Sequence, residues 1–284
     1  GKSPSIKIDW LPSYSELKAA LETYGFLFHS PTEDSSDTEM IFGDSESGEA
    51  PQNIRTWIKY VAAFSRYRNV HCTFTISEAE ELVVVIICLL LDRQLLGLSV
   101  DLNECMLALV NFFTDDEWNF SCVQVAKSVA SRVPKDMNSL RAVECIPAVH
   151  GPTKLLRSEI ALRILLGCFD KIIVEIIHFT QELLGSADLE TIVENGEEVI
   201  RQLTLINLKD KSCDLFKIYI YLVLTENWFL YNPLLEDNQL LNEMWGLFLR
   251  NCSCQINITD SRSYAPKVRS KASYLLQGTT DRLL

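Results

Sequence analysis

The sequence predicts an all-α fold, an irregular stack of helices packed in antiparallel pairs. Three observations predict it. Apolar residues recur at helical spacing in one segment after another between residues 13 and 278. No Asn-Gly hairpin turn lies between alternating apolar and polar runs, so a strand would have nothing to pair with. The apolar run LVVVIICLLL (82–91) is carried on by Asp92–Leu96 in helical register, which places it inside a helix apolar on most faces and buried between neighbours. The β-branched content of that run leaves a strand as the alternative. No strict short repeat is present, so the stack is expected to be irregular.

The elements follow in order. In SYSELKAALETYGF (13–26), Ser13 is a candidate N-cap, with Glu16 three residues on as its capping-box partner. Leu17, Ala20, Leu21 and Tyr24 share one face, and Gly25 ends the helix. Residues 30–53 hold seven acids and no Lys or Arg, a composition that predicts a flexible acidic loop. Helices are then expected at 54–67, at 77–97 (Ser77 and Glu80 as capping box, Gly97 as stop), at 101–115 and at 121–133. Further helices are expected at 139–147, 154–169, 170–185, 187–206, 214–226, 238–252 and 262–278. The domain organisation read from this is an N-terminal helical segment (1–29), the acidic loop (30–53) and a helical domain over 54–284.

Composition narrows the function classes. Spanning a bilayer takes roughly 20 apolar residues; the longest run is cut at Asp92 and Arg93, and 162–179 is broken by Asp170, Lys171 and Glu175. The chain therefore reads as soluble. It carries 38 acidic against 26 basic residues, a net charge of −12, which argues against a whole-surface nucleic-acid binder. Its nine cysteines are scattered, several of them inside apolar helical patterns, as expected for reduced thiols in a cytosolic or nuclear protein. Only CSC (252–254) approaches zinc spacing, and no second pair or histidine lies nearby.

No catalytic signature stands out. The chain has no Gly-rich phosphate loop, no HExxH and no GxSxG. His71 precedes Cys72, but adjacent side chains point apart and make a poor nucleophile pair. His178 reads as a core histidine, and DDE (115–117) as a solvated helix end before Trp118. Acids followed by LVVVII resemble a SUMO-interacting strand, a use that requires the segment to be exposed and extended. The expectation is no catalytic residue, no metal and no cofactor. A hydrolase or transferase with an unrecognised site stays open as an alternative, and a pocket of converging polar groups would favour it.

Helical stacks bind partners through exposed apolar and aromatic positions. Three aromatic clusters are candidates: Trp10, Leu11 and Tyr14; Trp57 and Tyr60 on one helical face; and Trp228, Phe229 and Tyr231. For each, ordinary core packing is the competing reading. The basic stretch 262–271 contributes Arg262, Lys267, Arg269 and Lys271 with no acid, a candidate contact for DNA or an acidic surface, or else the solvated face of the last helix. Direct nucleic-acid binding would be steeply salt-dependent and lost when Lys267, Arg269 and Lys271 are neutralised. Ser35, Ser36, Ser45 and Ser47 are candidate phosphorylation positions by composition.

Four segments carry a family resemblance. LLLDRQLLGLSVDLNECMLALVNFFTDDEWN (89–119), SLRAVECIPAVHGPTKLLRSEIALRILLG (139–167) and YAPKVRSKASYLLQG (264–278), in that order along the chain, resemble the CANIN-domain family, and the opening LPSYSELKAALETYGFLF (11–28) also fits its start. These Nse-six-like subunits include localization factor two of the SMC-five/six complex and its paralogue. Residues 170–260 and the acidic loop depart from the pattern. The resemblance implies a non-enzymatic, HEAT-like helical-repeat protein, an α-solenoid, acting in the nucleus. It implies pairing with an Nse-five-like protein and recruitment of the SMC-five/six complex to damaged or foreign DNA, with DNA contact through that complex. The alternatives are the Nse-five-like partner itself and a generic helical protein-interaction domain.

Overall fold

The computed structural model describes residues 12–24, 26, 53–68, 74–134, 136–169, 189–232 and 238–282. The acidic loop, except Asn53, and the helix expected at 170–185 lie outside them. Every secondary-structure element among the described residues is a helix, as the all-α expectation requires. The chain packs as two compact units, residues 1–125 and 126–284.

The first unit contains α1 (Tyr14–Tyr24), α2 (Ile54–Ser65), α3 (Ile76–Leu91), a 3-10 helix (Arg93–Leu98), α4 (Ser99–Val110) and the start of α5 (Asp115–Arg132). Capping boxes start three of these helices. The Ser13 amide donates to Glu16 Oε2 at 2.7 Å, as its sequence predicts. The cap of α3 lies two residues before the expected Ser77: the Thr75 amide donates to Glu78 Oε2 at 2.7 Å, and the Glu78 amide returns a hydrogen bond to Thr75 Oγ1. Thr114 and Glu117 repeat the arrangement, so α5 begins at Asp115 and not at Ser121. Each reciprocal pair satisfies two amides that the first turn would leave unpaired.

The segment expected as one helix over 77–97 is two. α3 stops at Leu91, and Asp92, in extended backbone, accepts a hydrogen bond from the Gln94 amide at 2.9 Å. The chain bends by 106° between Ile76–Leu91 and Arg93–Val110. A short carboxylate able to cap a new turn outweighs continued periodicity. The bend sends Leu96 to the surface, 64% exposed, and buries Leu95 instead. Residues 82–89 of the apolar run are all buried, and α3 packs on α4, which also packs on α2. Leu82, Ile86, Leu102, Met106, Leu109 and Ile58 form this core. Each such side chain contributes about 1.5–3 kcal/mol relative to exposure. Among the described residues no single helix is long and apolar enough to cross a membrane. A SUMO-interacting role for 82–87 would need these residues extended and exposed; they are helical and buried.

The second unit contains α6 (Met137–Glu144), α7 (Gly151–Cys168), α8 (Leu189–Leu205), α9 (Leu215–Tyr231), α10 (Gln239–Gln255) and α11 (Ala265–Arg282). α9 is its centre and packs on α6, α7 and α11, while α10 packs on α8 and α11. Asp214 caps α9 by accepting from the Phe216 amide at 3.0 Å, and Asn238 caps α10 by accepting from the Leu241 amide at 3.0 Å. Leu156, Ile160, Leu222, Trp228, Phe248 and Val268 build the core.

Candidate functional site

The aromatic clusters divide between core and surface. Trp10 and Leu11 lie outside the described residues. The Tyr14 hydroxyl donates to Glu81 Oε2 and its ring meets Phe74 edge-on at 6.4 Å, so it fastens α1 to α3. Burial is the main cause that raises the Tyr14 phenol well above the ordinary tyrosine value, with the Glu81 hydrogen bond adding to it. Trp57 and Tyr60 are half-buried and meet edge-to-face at 6.0 Å, as their shared helical face predicts. The Tyr60 hydroxyl donates to the carbonyl of Pro12 at 2.7 Å.

Trp228 is corrected from a partner-facing to a core residue, because its exposure is 0%. The Ser158 hydroxyl donates to its carbonyl, which ties α7 to α9. Phe229 is half-buried and stacks on Trp245 at 5.7 Å. Tyr231 is half-buried beneath the Arg157 guanidinium, whose carbon lies 5.1 Å from the ring centroid. Arg157 Nε also donates to Asn227 Oδ1 at 2.7 Å and Nη1 to the Ile146 carbonyl at 3.2 Å. Periodicity alone did not single out Arg157 or Asn227, because their contact spans 70 residues.

The basic stretch is mostly taken up within the fold. Arg262 grips Asp260, with Nη2 to Oδ2 at 2.7 Å, and donates to the carbonyls of Leu208 and Asp210 at 2.9 and 2.6 Å. Arg269 Nε donates to the Ser253 carbonyl at 3.3 Å, and Lys271 pairs with Glu226 at 2.5 Å. These three therefore join helices and turns, a correction to their reading as free surface cations. Lys267 is exposed and lies over the Tyr264 ring at 4.5 Å. Tyr264 itself sits at φ 67° immediately before α11. A side chain held in that left-handed region costs on the order of 1–3 kcal/mol unless its surroundings impose it. Here Phe216 and Tyr219, one turn apart on α9, hold the ring at 4.9 and 5.6 Å.

α10 presents apolar residues on two sides. Leu241, Trp245, Phe248, Leu249 and Cys252 face the core. Leu240 and Leu247, two turns apart, are 54% and 45% exposed. The exposed side that carries them also holds the exposed Glu243 and Arg250, and the two leucines were not legible as exposed because α10 reads as an ordinary amphipathic helix until its packed side is known.

In the first unit a surface cleft of about 770 Å³ is lined by Arg66, Glu104, Asn111, Phe112 and Thr114 among others. Arg68 borders it, but its guanidinium is committed to Glu117 and to the Phe112 ring, 4.6 Å away. Within the second unit, Glu159 and Arg163 form a buried pair at 3.7 Å. Burial raises the Glu159 carboxyl above its ordinary value. Burial likewise lowers the Lys127 ammonium, with Arg163 adding to it. Burial pushes the Cys105 and Cys252 thiols up to about 12, the opposite of activation for nucleophilic attack. His29, His71, Cys72 and His178 lie outside the described residues, and among those described no group of three His, Cys, Asp or Glu side chains is placed to hold a metal ion. Compared with known proteins, the chain matches no family model, no curated protein and no solved structure.

Proposed function

We propose that the chain is a non-enzymatic scaffold or adaptor subunit that pairs with an Nse-five-like protein. In this reading the pair recruits or regulates the SMC-five/six complex on DNA, in repair or in silencing of foreign DNA, within the nucleus. The supporting observation is the outer face of α10. Leu240 and Leu247 stand exposed on a helix whose other side is already packed. A partner helix laid along this side would bury both leucines, the i, i+7 spacing of helix-in-groove anchors. Phe229 and Tyr231, half-buried near the end of α9, supply aromatic contacts of the kind enriched at interfaces.

The polar chemistry agrees with a scaffold. The Arg68–Glu117, Arg157–Asn227 and Arg262–Asp260 contacts each join separate parts of the chain or fix a turn. The family and partner come from the sequence resemblance over 11–28, 89–119, 139–167 and 264–278. The experiment is co-purification with an Nse-five-like subunit, comparing the wild type with Leu240→Glu/Leu247→Glu. The reading requires complex formation that the double variant loses while it keeps its helical circular dichroism. Equal complex formation by both removes α10 as the interface.

A further inference from the structure

We infer that the corner around Tyr264 is a binding site for single-stranded nucleic acid, with its rings stacking bases and its lysines meeting phosphates. The chain carries a net charge of −12, so a local excess of positive charge runs against its overall balance. Lys209 and Lys211 stand on the turn before α9, Lys217 in the first turn of α9 and Lys267 in the first turn of α11. All four are exposed, and none makes an ion pair among the described residues.

The fold gathers them. Arg262 holds the carbonyls of Leu208 and Asp210, which fixes the backbone on both sides of Lys209 and just before Lys211. Two residues later the Tyr264 ring lies against Phe216 and Tyr219. Lys217 follows Phe216 directly, and Lys267 Nζ sits 4.5 Å from the Tyr264 ring centroid. Three acids share the corner, and each is already engaged. Asp210 accepts from the Ser212 amide, Asp214 caps α9, and Asp260 takes Arg262. With Arg262 included, five cations face three acids.

Charge alone would suit an acidic protein surface equally well. The rings favour nucleic acid. Phe216, Tyr219 and Tyr264 are all partly exposed, and Tyr264 keeps its ring there at a backbone position that favours glycine. Every base has a face that stacks on such rings, whereas stacking between base pairs in a duplex hides those faces, so the site fits a single strand.

The inference stands apart from the partner assignment, since the test uses the full chain alone with a fluorescein-labelled oligo-dT of about 20 nucleotides, a length that exceeds one such site. Anisotropy is read across salt from about 50 to 200 mM. With four lysine contacts, log K should fall against log salt with a slope of about −3. Tyr264→Gly accepts the left-handed backbone and removes the ring; it should weaken binding about tenfold. Lys217→Ala with Lys267→Ala should about halve the slope. Circular dichroism confirms that the variants stay folded. Four results would overturn the inference: no binding at the lowest salt, wild-type binding by both variants, duplex binding as tight as oligo-dT, or displacement of the oligonucleotide by polyglutamate of equal charge.

Discussion

Arg68 meets Glu117 through two parallel hydrogen bonds, Nη1 to Oε2 at 2.6 Å and Nη2 to Oε1 at 2.7 Å, and the same Nη1 donates to the Phe112 carbonyl. The planar guanidinium fits the carboxylate at both oxygens, a geometry an ammonium cannot copy. It ties the residues after α2 to the first turn of α5, where Glu117 is also the capping partner of Thr114.

The pair makes stability depend on acid. The hydrogen bond from Arg68 and that from the Thr114 amide lower the Glu117 carboxyl from 4.5 to about 2. The folded value lies below the unfolded one, so the stabilisation is present above the unfolded value and is lost as pH falls through the folded one. The urea midpoint of wild type should exceed that of Glu117→Gln at neutral pH, and the gap should close between about pH 5 and pH 2. A gap independent of pH across that window would assign the effect to something other than this carboxylate.

Arg157 holds the α6–α7–α9 junction. Arg157→Leu strands Asn227 Oδ1 and the Ile146 carbonyl, and should cost about 1.5–3 kcal/mol in chemical denaturation. Lysine has one charged nitrogen and no planar face to lay on Tyr231, so Arg157→Lys should recover only part of the loss. Full recovery by lysine would show that charge alone matters there.

Neighbouring aromatics on α9 should behave differently. Trp228→Ala removes a fully buried side chain and should cost about 3–5 kcal/mol, read as a lowered denaturation midpoint. Leu247→Glu, on the outer face of α10, should change stability by no more than about 0.5 kcal/mol. If Leu247→Glu were as damaging as Trp228→Ala, that face would have to be packed.

Thiol accessibility gives a direct map. Cys254 is exposed, while Cys88, Cys105, Cys122 and Cys252 are buried. Brief alkylation of the native chain followed by peptide mass spectrometry should modify Cys254 well before those four. The CSC motif is especially informative, since Cys252 and Cys254 stand two residues apart on one helix and should differ most. Equal labelling of the two would contradict the packing of α10.

Local signals were legible and distant ones were not. Ser13 with Glu16 marked the start of α1 because a capping box is a contact between residues three apart. The same spacing occurs at Ser77/Glu80 and at Thr75/Glu78, and only the latter forms. The bend at Asp92 was missed because Leu95 and Leu96 both fit an apolar face, and a single cap decides which one is buried. Trp228, Phe229 and Tyr231 looked alike as a cluster, yet successive helical residues point about 100° apart, so one enters the core while the others lie half-buried. Arg269 and Lys271 read as free cations because their partners Ser253 and Glu226 lie on other helices, and Arg262 because its carboxylate partner Asp260 falls just outside the basic stretch.

The most direct test of the scaffold reading is co-expression of the chain with an Nse-five-like subunit and multi-angle light scattering on the eluted peak. The account predicts a one-to-one complex that survives high salt, as an apolar α10 interface would. A monomer that elutes apart from every such subunit would contradict it.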